Sequence, residues 1–295
     1  MSLEKPGTGV RAGWLGKLLA AGFAAVALVS VSAASEPRIA IPAYNQFTPE
    51  DEAKIGAALA RDFESNKEFA SNPLLDRYLD DLMKRLGRAS RRPELVYTCR
   101  LINSSEINAY SLPGGEVYVT TGLLGFVEDE SELASVLAHE VGHIDGRHIM
   151  NRMSLEMRSQ SLWNQAKSIL PLLNDAQLQQ AFLKIGIPIT TLAAQQYDRA
   201  NENEADLLAV YNLVRAGWNP LGEVRVLDRL QTPGGTQGLA AAMLAVHPDP
   251  TDRSHAVSAE IKTIALTGGL DENSLSFRAM KAGLGLLPKS GRSGH

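Results

Sequence analysis

The pentad His-Glu-Val-Gly-His at residues 139–143 constrains this chain more than any other feature of its sequence. On an α-helix, residues four apart are separated by about 40° around the axis and about 6 Å along it, so His139 and His143 leave the same face. Two imidazoles at that spacing can bind one zinc ion, and Glu140 lies where it can take a proton from a water molecule at the metal. The pentad therefore predicts a helix that carries part of a catalytic zinc site.

The residues around the pentad favour a helix that is buried on one side. Asp129 is the predicted N-terminal cap, and Glu132, three residues on, completes a capping box. Gly146 is the predicted end of the helix. Apolar residues recur at helical spacing through the segment: Leu133, Val136, Leu137, Val141 and Ile144.

A catalytic zinc site needs a third protein ligand and one position left open for water or substrate. The best candidate for that ligand is Glu202, which lies four residues before Asp206, so that both leave one face of a second helix. In this arrangement Glu202 binds the metal, while Asp206 accepts a hydrogen bond from the far nitrogen of a ligand histidine, expected to be His139. Glu204 lies about 200° around the helix from Glu202 and cannot share its direction. The alternative is a solvated, acidic helix start.

Four motifs in this order resemble the gluzincin zinc metallopeptidases, the family of HtpX and the CAAX prenyl proteases. They are the pentad, the pattern Arg199-x-x-Glu202-x-x-Ala205-Asp206, the run 108–115 continued by 121–124, and the run 247–253. The resemblance covers about residues 50–285 and points to the periplasmic, BepA-like branch. It implies a zinc metalloendopeptidase that binds one Zn²⁺ per chain through His139, His143 and Glu202.

Two residues of the last motif are candidates for a role at the site. His247 could stabilise the oxyanion of a tetrahedral intermediate, or it could occupy the open zinc position as a latch that keeps the enzyme latent, as the resemblance implies. It could also be a plain loop residue. Arg253, six residues on, is expected to orient that loop or to contact the substrate carbonyl. His148 is predicted to be structural.

The N-terminus has the layout of a secretory signal peptide. Basic residues precede an uncharged stretch at 18–34 that ends in small residues, so cleavage is expected near residue 34 and the mature protein is expected in the periplasm. The alternative is an uncleaved N-terminal membrane anchor. The one cysteine, Cys99, cannot form an internal disulfide and is expected to pack in a strand. A net charge of −4 gives no support for nucleic-acid binding.

The order of elements predicts an α+β fold that is mainly helical. Amphipathic helices are expected at residues 51–70 and 73–88, strands near 95–103 and at 116–121, and helices after residue 129. With the resemblance, this implies a gluzincin domain with a small β-sheet. The strand at 116–121, which precedes the zinc helix, is the expected sheet edge that holds extended substrate; the alternative is an internal strand.

The predicted domain organisation is a signal peptide at 1–34, a metallopeptidase domain at 35–288 and a disordered tail at 289–295. Within the domain, residues 149–196 form an insert, expected to be a lid or a docking surface for a membrane or partner, or else an ordinary helical hairpin.

The function expected from these features is zinc-dependent endopeptidase activity on unfolded or misfolded polypeptides. The resemblance implies quality control of envelope or outer-membrane proteins, with outer-membrane assembly factors or a membrane surface as possible partners. One rival is a zinc-binding chaperone or adaptor with little proteolysis. The other is an exopeptidase or small-peptide hydrolase.

Overall fold

The computed structural model describes residues 45–157, 197–231, 237–248, 250–264, 266 and 269–287. The predicted signal peptide, residues 158–196 of the predicted insert and the predicted tail lie outside these residues. The described elements are α1 (Pro49–Ser65), α2 (Pro73–Ala89), β1 (Thr98–Ile102), β2 (Ala109–Ser111), β3 (Glu116–Thr120), α3 (Thr121–Phe126), α4 (Glu130–Asp145), α5 (His148–Glu156), α6 (Arg199–Ala216), α7 (Leu221–Gln231), α8 (Gln237–Val246), α9 (Pro250–Thr263) and α10 (Leu275–Leu284). The predicted architecture, mainly helical with a small sheet, is confirmed.

The sheet is mixed, with strand order β1-β3-β2. Strand β3 pairs in parallel with β1 and antiparallel with β2. The prediction that the strand at 116–121 forms the sheet edge was therefore wrong, because β3 is the central strand. Its consecutive residues Val117, Tyr118 and Val119 are all fully buried, which is the pattern of a strand covered on both faces. The edge beside the zinc helix is β2, a three-residue strand that sequence patterning missed.

Helix α4, which carries the pentad, lies at the centre of the molecule. It packs against α2, α6, α7, β2 and β3. Every residue from Glu130 to Ile144 is buried. The helix is therefore enclosed on all sides, whereas the apolar stripe predicts burial on one side only. The cap at Asp129 forms as expected, since its side chain accepts from the Glu132 amide at 2.9 Å. The Glu132 side chain accepts from the Glu128 amide. A capping box would instead use the amide of Asp129, the next residue.

Small residues bring α4 and α6 close together. A Cβ atom on Gly142 would lie 2.6 Å from the carbonyl oxygen of Ala205, a distance that no side chain tolerates. Ala205 and Ala209 are fully buried at this contact. The two helices that carry the predicted ligands therefore meet backbone to backbone near the pentad.

The first two helices lie close to their predicted positions. Helix α1 ends at Ser65, earlier than expected, because Phe69 instead forms an isolated bridge with Ile102 at the edge of β1. Within the described part of the chain, none of the helices combines the length and the apolar character needed to span a bilayer.

Candidate metal centre

Four buried side chains converge beside the middle of α4. His139 and His143 come from α4, Glu202 from the first turn of α6, and His247 directly follows α8. The Nε2 atoms of the two α4 histidines are 3.0 Å apart. Oε1 of Glu202 lies 3.4 Å from Nε2 of His143 and 3.0 Å from Nδ1 of His247. The fold thus brings the three predicted ligands together and places His247 among them.

The spacing of these donor atoms fits a zinc ion. A tetrahedral zinc with bonds of about 2.0–2.1 Å to nitrogen and oxygen requires donors about 3.3–3.4 Å apart. The observed separations fall around that value. Oε1 of Glu202 lies 3.4 Å from His143 and 3.0 Å from His247. The two α4 histidines are 3.0 Å apart, and His139 Nε2 lies 3.3 Å from His247 Nδ1. Imidazole nitrogen and carboxylate oxygen are also the donor types that zinc prefers.

The second ring nitrogen of His139 is held by a carboxylate. Nδ1 of His139 lies 2.8 Å from Oδ1 of Asp206, so Nδ1 donates and Nε2 is left free for a metal. Asp206 is held in turn by Arg253, whose Nε and NH2 groups donate to its two oxygens at 2.8 and 2.7 Å. NH1 of Arg253 lies 2.6 Å from Oε2 of Glu202. Arg253 is thus buried between two carboxylates and aligns both of them.

The second ring nitrogen of His143 is held by a residue that sequence reasoning placed outside the site. Nδ1 of His143 lies 2.7 Å from Nδ1 of His148, and Nε2 of His148 lies 3.5 Å from Oε2 of Glu204. Arg147, with φ of 54°, adopts the left-handed conformation between α4 and α5 and turns the chain so that His148 comes back onto His143. Helical spacing does not reveal this contact, because the turn interrupts the helix.

The protonation states of His143 and Glu202 suit metal binding. Burial lowers the pKa of His143 well below its ordinary value, so its imidazole is neutral at pH 7. Burial by itself would raise the pKa of Glu202, but the facing His247 and the hydrogen bonds from His143 and His247 outweigh it, and the pKa falls below its usual range. Neutral imidazole and ionised carboxylate are the forms that bind metal.

Glu140 lies on the other side of His247 from the donor atoms. Its Oε1 is 3.5 Å from Nε2 of His247, and this oxygen accepts no hydrogen bond from the described residues. His247 is itself buried, with only 3% of its surface exposed, and is not an open loop residue. Its ring therefore stands between the candidate metal position and the candidate base.

The sheet edge lies next to the donors. The Asn108 carbonyl and the Leu112 amide bond to β3, so in this antiparallel ladder the main-chain groups of Ala109 and Ser111 point away from β3. Ser111 lines a cavity together with His143 and Tyr197, and the Tyr197 ring stacks on the His143 ring with centroids 3.9 Å apart. An extended chain paired with β2 would run beside the candidate metal position.

Comparisons with known proteins agree with this geometry. The model of peptidase family M48, whose members use zinc, matches residues 73–261. The beta-barrel assembly-enhancing protease of Escherichia coli (strain K12) is 30% identical over 204 residues, which are 68% of this chain and 42% of that protein. A putative beta-barrel assembly-enhancing protease of Vibrio cholerae is 30% identical over 224 residues, 74% of this chain and 45% of that protein. The mitochondrial metalloendopeptidase OMA1 of Schizosaccharomyces pombe is 28% identical over 176 residues, 60% of this chain and 50% of that protein. The chain spans less than half the length of the two bacterial relatives.

Proposed function

The chain belongs to peptidase family M48, and from this premise we propose that it is a zinc-dependent endopeptidase. The observation that carries the proposal is the convergence of His139, His143 and Glu202 from two separate helices, with Glu140 lying 3.5 Å from His247, the fourth side chain of the cluster. When bound, zinc would polarise the scissile carbonyl and make a water molecule acidic enough to be deprotonated near pH 7.

The chain's own residues then have distinct tasks. Glu140 takes a proton from the attacking water and passes it to the leaving amine. Asp206 fixes the ring orientation and tautomer of His139, and Arg253 aligns the carboxylates of Asp206 and Glu202. These two residues act on the ligands and not on the substrate.

Strand β2 replaces β3 as the proposed substrate-binding edge. The outward Ala109 carbonyl and the outward main-chain groups of Ser111 can pair with any extended polypeptide, because backbone hydrogen bonds do not depend on side-chain identity. The Ala109 amide donates to Oδ1 of Asn108 at 2.9 Å, so it would pair with substrate only after that side chain moves. Pairing through the backbone favours unfolded or misfolded polypeptides as substrates, since a folded chain rarely offers a free extended segment.

Glu140 provides the direct test of the proteolytic mechanism. Replacing it by Gln keeps the shape of the side chain but removes the base, so casein cleavage should fall by at least about 10²–10⁴-fold. Zinc content, measured by atomic absorption, should equal that of the wild type, because Glu140 is not a ligand. The comparison is repeated in the His247→Ala protein, in which the latch proposed below is absent, and unchanged casein turnover there would defeat the proposed mechanism.

His247 is proposed to be a latch. Its Nδ1 stands where a fourth zinc ligand would stand, and its Nε2 faces the carboxylate of Glu140. In this position the ring excludes substrate from the metal and blocks access to Glu140. Stabilisation of an oxyanion would require the ring to move first. Alanine at position 247 should therefore raise basal casein cleavage, whereas a fall in cleavage would favour the oxyanion role.

The same geometry favours one rival function. Zinc sites closed by four protein ligands are usually structural, and a chaperone or adaptor that holds unfolded chains would need no open position. Under this rival, His247→Ala would lower zinc affinity and produce no cleavage. The two measurements, zinc retention and casein cleavage, thus separate a latent peptidase from a structural zinc protein.

The cellular setting is proposed from the N-terminal sequence and from the relatives. The basic residues before the uncharged stretch at 18–34 favour export to the periplasm, leaving a peptidase domain at 35–288. The names of the bacterial relatives favour a role in quality control of outer-membrane proteins, with assembly factors or the membrane surface as partners. When the full sequence is expressed, the expected result is release of the processed chain by osmotic shock, with a mature N-terminus near residue 35 by mass spectrometry. A chain that stays in the membrane fraction at full length would instead be an N-terminally anchored protein.

A further inference from the structure

The turn between α4 and α5 has a backbone conformation that few residues other than glycine adopt. Within the described part of the chain, Arg147 is the one residue other than glycine with positive φ, at 54°. This left-handed conformation brings a Cβ atom close to a carbonyl oxygen. The side chain of Arg147 makes no cap hydrogen bond to the helix that it starts. Contacts with other parts of the molecule must therefore hold the residue in this conformation.

The turn determines where the ring of His148 lies. His148 is fully buried, and its Nδ1 lies 2.7 Å from Nδ1 of His143. Its Nε2 forms no hydrogen bond with the described residues, and Oε2 of Glu204 is 3.5 Å from it. A Cβ atom on Gly146 would lie 2.4 Å from this Nε2, so the ring folds back over the turn. Because no hydrogen bond anchors the far side of the ring, the backbone at Arg147 sets its position.

A buried carboxylate from α1 holds the turn. Glu52, in the first turn of α1, is 1% exposed, and its Oε2 accepts from Nε of Arg147 at 2.8 Å. NH2 of Arg147 donates to the carbonyl oxygen of Phe47, which precedes α1, at 3.0 Å. The Arg147 side chain is thus bonded to two points near the start of α1, and these bonds oppose any rotation of the turn.

The same carboxylate is bonded to a second arginine that reaches the end of α4. Arg92 donates to Oε1 and Oε2 of Glu52 at 2.6 and 3.1 Å. NH1 of Arg92 also lies 3.2 Å from the carbonyl oxygen of Ile144. Buried ion pairs often stabilise a fold no more than apolar side chains would, and in some proteins they serve to fix one geometry. Here the geometry that Glu52 fixes is that of the turn after the pentad.

We propose that Glu52 is a positioning residue for the zinc ligand His143 and acts through Arg147 and His148. The inference rests on the metal site of the proposed function and adds to it a helix, α1, that supplies none of the clustered donor atoms. Glu52 fixes the left-handed turn, and the turn places the ring of His148. That ring holds Nδ1 of His143, so that Nε2 of His143 faces the other donors. Without the Glu52 carboxylate the turn relaxes, and the His143 ring is free to rotate.

The first test uses two variants that lose the same guanidinium. Glycine adopts positive φ at almost no cost, whereas alanine does not. Zinc affinity is measured by chelator competition on the metal-depleted full chain. Arg147→Ala should bind zinc about tenfold more weakly than Arg147→Gly, because only alanine disfavours the turn. Equal affinities of the two variants would overturn the proposal, since the conformation of the turn would then have no effect on the metal.

The second test asks whether Glu52 acts through the turn. Glu52→Gln removes the charge that both arginines share, and zinc affinity should fall by about tenfold in the otherwise unchanged chain. In the Arg147→Gly chain, most of this loss should disappear, because glycine keeps the turn without the Glu52 contact. A general structural role for Glu52 would instead give the same loss in both chains, and that result would contradict the proposal.

Glu130→Gln is the matched control for loss of a buried carboxylate. Glu130 lies at the other end of α4 and accepts from the Tyr78 hydroxyl and the Ser274 amide. Its replacement should lower the thermal midpoint but leave zinc affinity unchanged. A loss of affinity as large as that of Glu52→Gln would mean that general destabilisation, and not positioning, weakens the site.

A measurement without zinc separates this inference from the proposed function. In the metal-free protein, the proton shared by His143 and His148 should give a downfield imidazole resonance in the NMR spectrum, identified by its loss in His148→Ala. The resonance should persist in Arg147→Gly and disappear in Arg147→Ala and Glu52→Gln. Its persistence in all three would overturn the positioning role. If the wild type neither binds zinc nor cleaves casein, the proposed function fails, and this resonance still decides whether Glu52 holds His148 against His143.

Discussion

The two α4 histidines are held by chemically different partners. Nδ1 of His139 donates to the carboxylate of Asp206, whereas Nδ1 of His143 faces the imidazole of His148. A carboxylate raises the basicity of the imidazole it accepts from, and an imidazole partner, which carries no negative charge, does so less. We therefore expect His139 to be the stronger zinc donor of the pair, and we expect the position of His143 to depend on how firmly His148 is held.

His148 should thus be a positioning residue for zinc. Replacing it by Ala leaves Nδ1 of His143 without a partner in a buried site, and zinc affinity should fall by about 10–100-fold. Competition against a chromogenic chelator measures the change. His255→Ala is the matched control, because His255 is exposed on α9 and its removal should leave zinc affinity unaltered. Equal affinities for the two variants would mean that His148 is only a core residue.

At the scale of elements, the contact between α4 and α6 decides whether a site forms. Each helix supplies part of the donor set, and neither can hold a catalytic zinc by itself. The close approach at Gly142 and Ala205 sets the separation between the two helices. The capping residues Asp129 and Asp198 fix where each helix begins, since both accept from an amide in the first turn.

Gly142→Ala should weaken both the fold and the site. The new methyl group meets the Ala205 backbone and must push α6 away, which should lower the free energy of unfolding by about 1–3 kcal/mol. The same displacement moves Glu202 relative to the histidines, so zinc affinity should fall as well. Urea denaturation and chelator competition measure the two effects.

Gly125→Ala in α3 is the control, because its Cβ would meet no atom within 4 Å, and the stability of this variant should be unchanged or slightly higher. If Gly142→Ala behaved like this control, the close helix contact would not determine the site.

At the scale of the whole molecule, zinc should link the two helices and so contribute to stability. Zinc at about 100 times its dissociation constant stabilises a folded protein by about 2.7 kcal/mol, provided that the unfolded chain does not bind it. For a domain of this size the melting temperature should rise by about 5–10 °C. Differential scanning calorimetry with zinc and with a chelator measures the shift. Glu202→Ala should lose most of it, and a full shift in that variant would place the metal elsewhere.

Much of the centre is predictable from sequence because it depends on local spacing. Residues four apart share a helix face whatever surrounds them, which is why His139 with His143, and Glu202 with Asp206, could be paired from the sequence. The capping residue Asp129 is equally local. The mainly helical fold with a small sheet also follows from the order of hydrophobic patterns.

The remaining contacts depend on how distant segments pack. Strand β2 is too short to show an alternating pattern, and the order of strands in a sheet depends on pairing between segments that the sequence does not specify. The left-handed turn at Arg147 returns His148 to His143, and Glu223 meets Asp206 only because α7 packs against α4.

Sequence by itself identified the candidate metal ligands and the candidate base, because helical geometry is set over a few residues. Only the tertiary structure decided that His247 stands among the candidate ligands, that β2 is the edge strand beside α4 and that Glu223 is buried near His139 and Asp206. These features arise from packing between elements far apart in the chain, and packing is a property of the whole core.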